Sequence, residues 1–133
     1  MDNKLLNGLT LAYVGDSAYE LLIRKRLIEE GLTKSDRLHK TAINYTKASA
    51  QAKILRYLLA NNFFTDEEIL IYKRGRNSHV HLTRKNIALA DYLDATGLEA
   101  LVGYLFLEGN EKRIKEIIDN AFDIIKGGAV DGR

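Results

Sequence analysis

Apolar residues recur at helical spacing along almost the whole chain, and the alternating pattern of a half-buried strand is hard to find anywhere. The sequence also contains no proline, which removes the commonest helix breaker and the usual punctuation of β-rich folds. Together these features predict an all-α fold. With 133 residues, 46% of them hydrophobic and 29% charged, the chain has material for a real core and is expected to form one domain over residues 1–133. The absence of cysteine excludes disulfides, zinc ribbons and thiol nucleophiles. No apolar run reaches the ~18 residues of a membrane span. The opening MDNKLLNG lacks the charged-then-apolar layout of a signal peptide, so a reducing, cytoplasmic setting is expected.

The periodicity divides the chain into helical segments with recognisable ends. A first helix is predicted from about Leu9 to Glu30, closed by Gly31. Ser35 or Asp36 would cap a second helical region through Leu38, Ala42, Ala50, Ile54, Leu55 and Leu58, broken near Tyr45 and Thr46. Thr65-Asp66-Glu67-Glu68 has capping-box form and opens a helix that should end near Arg74 and Gly75. Another helix is predicted from about Ile87 to Glu108, closed by Gly109. The last should start at an Asn110 cap and stop at Gly127-Gly128, with Ile114, Ile117, Ile118, Ala121, Phe122, Ile124 and Ile125 on one stripe. Residues 75–86 show no periodicity and read as an exposed basic loop.

Net charge is only +2, but its distribution is uneven. Residues 73–86 carry Lys73, Arg74, Arg76, Arg84 and Lys85, with His79 and His81, and no carboxylate. Residues 33–57 carry six further bases against Asp36 alone. A basic central half suits a polyanion lying across one side of the molecule. Solvated helix faces are the plainer reading of the same charges. His79 and His81 lack a third soft ligand and read as exposed loop histidines.

Two helices carry carboxylates that packing alone does not explain. Asp16 stands in the apolar run Leu11–Ile23, with Glu20 one turn further on the same face. Glu99 stands among Gly97, Leu98, Ala100, Leu101 and Gly103. A carboxylate in a core is costly unless it is paired or binds a metal. Gly15, Ala18, Gly97, Ala100 and Gly103 would let the two helices approach until both acids reach one ion. An oxygen-only set favours Mg²⁺ or Mn²⁺ over Zn²⁺. Structural ion pairs with arginine or lysine are the alternative, and Glu20 could instead partner Arg24 at i+4. Tyr13 and Tyr19 read as core or interface packing.

These residues also resemble a known family. Gly15-Asp16-Ser17-Ala18-Tyr19-Glu20 is similar to the signature helix of ribonuclease III enzymes, and Leu98-Glu99-Ala100-Leu101-Val102-Gly103-Tyr104-Leu105 to their second acidic helix. The short Mini-ribonuclease III form, a catalytic domain without a double-stranded-RNA-binding domain, is the closer match. The likeness extends through Leu38-His39-Lys40, Ser49-Ala50-Gln51-Ala52, Phe63-Phe64-Thr65, Lys73-Arg74-Gly75-Arg76-Asn77, Lys85-Asn86 and Tyr104-Leu105-Phe106-Leu107-Glu108. It implies a homodimeric endoribonuclease, with Asp16 catalytic and Glu99 catalytic and metal-binding. Where longer members carry further acids, this chain has Ala12 and Thr96, which leaves open whether Glu20 or Asp94 helps to hold a metal. Residues 78–84 also differ from the family's usual loop.

The chemistry so implied is hydrolysis of double-stranded RNA with Mg²⁺, or Mn²⁺ in its place, held by Asp16 and Glu99. Products would carry a 5′ phosphate and a 3′ hydroxyl, and the expected RNA is a large-subunit, 23S-type ribosomal precursor. Lys73, Arg74, Arg76, Asn77 and Lys85 are the expected RNA-binding residues, although an arginine at a helix end can instead cap carbonyls. Two alternatives remain at this point. One is a double-stranded-RNA-binding module that has lost catalysis, favoured by Ala12 and Thr96. The other is an all-α Mg²⁺-dependent nucleotide pyrophosphohydrolase, disfavoured by a basic segment larger than one nucleotide needs.

Overall fold

The computed structural model describes residues 2–78 and 88–127, all helices and short connections. After a single 3-10 turn at Asn3–Leu5 come α1 (Gly8–Glu29), α2 (Ser35–Thr46), α3 (Ala48–Ala60), α4 (Asp66–Arg76), α5 (Ala88–Leu107) and α6 (Glu111–Ile125). The predicted all-α class and the break after Tyr45-Thr46 are both observed, with Lys47 extended between α2 and α3 (φ −64°, ψ 154°).

α5 is the axis of the fold. Leu98, Ala100, Leu101, Val102, Tyr104 and Leu105 are buried on every side of it, as expected of a helix that is apolar all round. α1, α3, α4 and α6 all pack against α5, while α2 bridges α1, α3 and α6. No helix among the described residues is long and apolar enough to cross a membrane.

The helix ends follow local chemistry. Asn7 and Asn110 accept hydrogen bonds from the Thr10 and Arg113 amides at the starts of α1 and α6. Thr65 and Glu68 close the predicted capping box of α4, at 3.0 and 3.1 Å. Gly31 and Gly109 take positive φ (99° and 72°) just past α1 and α5, as their predicted role as stops requires.

One end assignment needs correction. Lys34 occupies the N-cap of α2 without a side-chain bond, and Ser35 and Asp36 lie inside its first turn. α4 ends at Arg76, with Asn77 at its C-cap, one residue past the predicted end near Arg74 and Gly75. Gly75 is buried there because a β-carbon would sit 2.5 Å from that of Ala100 and 3.0 Å from the Thr96 carbonyl oxygen. Its glycine is a packing requirement between α4 and α5. Of the predicted basic loop, residues 79–87 lie outside the described residues, as does Gly128.

α6 is fastened by polar contacts over an apolar stripe. Arg113 donates to both Glu68 oxygens at 2.8 Å and to the Phe63 carbonyl at 2.7 Å, with its guanidinium 4.0 Å from the Phe63 ring centroid. Arg26 of α1 pairs with Asp119 of α6. Phe122 stacks on Tyr45 with ring centroids 4.1 Å apart.

Candidate active site

Asp16 reaches Glu99 because α1 and α5 touch backbone to backbone. A β-carbon on Gly15 would overlap the Glu99 carbonyl group, 2.6 Å from its carbon and 2.8 Å from the Gly103 nitrogen. A β-carbon on Gly103 would likewise overlap the Leu11 carbonyl group, 2.9 Å from its carbon. Of the small residues read as permitting this approach, Gly15 and Gly103 do so, whereas Gly97 and Ala100 face Tyr72 and Gly75 of α4. Position rises along α1 as it falls along α5, so the two helices run in opposite senses across this contact.

The two acids differ in environment. Asp16 is exposed, which corrects the expectation of an aspartate held in the core, whereas Glu99 is partly buried. The Glu99 carboxyl is pushed up to about 7, by burial first, with the Gln51 amide bond opposing and the Asp16 charge and a hydrogen bond shared with Asp16 adding to the rise. Glu20 adds a smaller push in the same direction. Glu20 itself is engaged by Arg24 on the exposed face of α1, the i+4 alternative read from the sequence.

Sequence reasoning missed the support beneath Glu99. Gln51, only 3% exposed, donates its side-chain amide to Glu99 Oε2 at 3.1 Å and to the Thr46 carbonyl at 2.9 Å. Tyr19, buried as expected, donates its hydroxyl to the Tyr45 carbonyl at 2.9 Å. The Tyr19 phenol is pushed up by burial first and by the Glu99 charge second. Both side chains thus satisfy carbonyls at the end of α2, where the helix has no partners of its own. The signal was a polar residue inside the apolar stripe of α3, beside Ala50 and Ala52.

The remaining candidates separate. Asp94 is buried with its two oxygens held by Arg56 Nε at 2.8 Å and Arg76 Nε at 2.7 Å, so it orders guanidinium groups. Arg56 also reaches Asp91 at 2.9 Å. Arg74 donates to the Lys4 and Leu6 carbonyls ahead of α1. Lys73 and Asn77 are exposed, and Lys85, His79 and His81 lie outside the described residues. Thr96 is buried with its hydroxyl turned back to the Tyr92 carbonyl at 3.0 Å, and Ala12 is buried too. Tyr13 is 81% exposed and is not core. Among the described residues no cluster of three or more acids or histidines could hold a metal. A cation here would rest on the Asp16–Glu99 pair.

The ribonuclease III domain family matches residues 9–110. The chain is 47% identical over 118 residues to the Mini-ribonuclease 3 of Enterococcus faecalis, covering 89% of each. It is 44% identical over 126 residues to that of Brevibacillus brevis, covering 95% of this chain and 92% of the relative. To that of Streptococcus pneumoniae it is 38% identical over 127 residues, 96% and 99% of the two. A Fusobacterium nucleatum protein of known crystal structure shares the fold at a TM-score of 0.77 and 33% identity, over 90% of this chain and 95% of that one.

Proposed function

The chain belongs to the ribonuclease III domain family, and from that membership we propose that Asp16 and Glu99 are the catalytic acids of its double-stranded-RNA cleavage. It is a ribonuclease III-type endoribonuclease. The observation that carries the assignment is the acid pair brought together by the Gly15–Gly103 helix contact. Its exposed Asp16 side is open to a polymer.

A divalent cation fits these residues. Two hard carboxylates lie within hydrogen-bonding reach, and burial first and the Asp16 charge second push Glu99 up, costs that a bound cation relieves. Asp16 and Glu99 would hold Mg²⁺, or Mn²⁺ in its place, with water completing the shell. Such an ion supplies a water of lowered pKa and a counter-charge for the leaving oxygen. The chain's own contribution is to fix the separation of the two acids through backbone contact and to pair Glu20 with Arg24. Scission leaves a 5′ phosphate and a 3′ hydroxyl.

Duplex RNA is recognised by shape, phosphates and 2′-hydroxyls. Lys73 and Asn77 face solvent at the end of α4, and Lys85 follows in the same basic segment. Arg74 and Arg76 are anchored to the Lys4 and Leu6 carbonyls and to Asp94, and a guanidinium has donors left for phosphate. Two sites are needed to cut both strands, and a two-fold homodimer supplies them. Leu9 and Tyr13, one turn apart and exposed on the α1 face that leads to Asp16, suit such an interface. The physiological RNA is a large-subunit ribosomal precursor, processed in the cytoplasm.

The test is cleavage of a long RNA duplex by wild type and Asp16→Asn, with Mg²⁺ and with chelator, while binding is followed in parallel. Metal-dependent cleavage by wild type and binding without cleavage by Asp16→Asn are expected. If both proteins bind and neither cuts, the acids absent at Ala12 and Thr96 are decisive and the chain is an RNA-binding module.

A further inference from the structure

Gln51 joins a donor aimed at a candidate catalytic acid to a buried acceptor with no partner. Its amide nitrogen lies between two oxygens, Thr46 O at 2.9 Å and Glu99 Oε2 at 3.1 Å. Both partners accept, so only the NH₂ end of the amide can face them. Its Oε1 is the one buried side-chain polar atom among the described residues left without a hydrogen bond. A buried orphan acceptor works against folding, and an aliphatic side chain of similar size would avoid it. The orphan offsets much of what the two donated bonds contribute, so net stability is a weak reason for an amide at this position. What the amide does accomplish is local: it ties one oxygen of Glu99 to the rigid end of α2, where Tyr19 already holds the neighbouring Tyr45 carbonyl.

We propose that Gln51 is a positioning residue for catalysis, which fixes the Glu99 carboxylate against the α2–α3 break so that its second oxygen is presented beside Asp16. Three helices then converge on one acid: α5 carries Glu99, α3 carries the amide that restrains it, and α2 carries the carbonyl against which the amide is braced. Gln51 acts through Glu99 and does not touch the RNA. The role rests on the nuclease reading of the Asp16–Glu99 pair and extends it to a side chain that the acidic motifs do not include. Groups that orient a ligand in this way commonly change metal affinity or turnover by about 10–100-fold when removed.

The experiment compares Gln51→Leu and Gln51→Met with wild type and Asp16→Asn. Four quantities are measured: thermal midpoint, kcat and KM on a long RNA duplex with Mg²⁺, and direct binding of Mn²⁺ by electron paramagnetic resonance without RNA. Both Gln51 variants should fold and melt within a few degrees of wild type, because losing the orphan acceptor offsets the loss of the donor to the Thr46 carbonyl and Glu99. Their kcat should fall about 10–100-fold with KM for the duplex unchanged, and Mn²⁺ should bind about tenfold more weakly. Wild-type kcat and Mn²⁺ affinity in Gln51→Leu would overturn the proposal. So would a failure of both variants to fold, since Gln51 would then be structural. Asp16→Asn separates the two readings: if it still cuts, the nuclease assignment of the acid pair is wrong, whatever Gln51 does.

Discussion

The backbone carbonyl of Glu99 occupies the space in which Gly15 would otherwise carry a β-carbon. The distance between the two candidate catalytic acids is therefore set by main-chain contact and not by side-chain packing. A single methyl group at this crossing must push α1 and α5 apart.

Gly15→Ala tests that relationship. The added carbon meets a carbonyl and the Gly103 amide, neither of which can rotate away. Overpacking against backbone should cost about 3 kcal/mol or more. The thermal midpoint should drop by roughly 10 °C. Ser17→Ala, on the exposed side of the same helix, should stay within about 0.5 kcal/mol of wild type. Equal melting of the two variants would contradict the backbone contact.

Metal-free protein should lose stability as pH rises towards neutrality. Glu99 is pushed up from 4.5 to about 7 by burial and by its neighbouring acids. The folded state then holds a proton that the unfolded chain releases, so the contribution is full below about 4.5 and lost as pH rises through about 7. The change should be on the order of 2 kcal/mol, visible in chelator by urea titration at a series of pH values. Glu99→Gln should flatten the dependence, and a divalent cation should reverse it.

At acid pH a different pair governs. Burial pushes the Glu68 carboxyl up, but hydrogen bonds from Arg113 and from the Thr65 backbone and hydroxyl outweigh this and hold it below its usual value. Stability from this carboxylate is present above about 4.5 and is lost as pH falls through its depressed value. Arg113→Met leaves Glu68 buried without its guanidinium and should cost about 3–5 kcal/mol. Urea midpoints should show Glu68→Gln combined with Arg113→Met recovering much of that loss.

Sedimentation tests the proposed interface. Tyr13 is 81% exposed and Leu9 45% exposed on one face of α1. Tyr13→Arg should shift a dimeric protein to monomer at micromolar concentration without lowering its far-ultraviolet helicity. Duplex cleavage should then become slow and strongly dependent on protein concentration. An unchanged sedimentation profile would place the interface elsewhere.

Much of this protein was legible along the chain. Periods of apolar residues, the Thr65–Glu68 box, the Asn110 cap and the Gly31 and Gly109 stops are local devices, and each was found where its neighbours in sequence predicted it. The meeting of Asp16 with Glu99 was legible for a related reason, because small residues beside each acid announce a close helix contact. Contacts between groups far apart in sequence were not legible. Gly75 looks like a stop until Ala100 and Thr96 are placed against it. Arg76 and Arg56 look like free cations until Asp94 is placed between them. Gln51 looks like a polar residue on a small apolar helix until Glu99 and the end of α2 converge on its amide. Local propensity is written in adjacent residues, whereas the partner of a buried polar group is chosen by whichever helix the tertiary packing delivers to it.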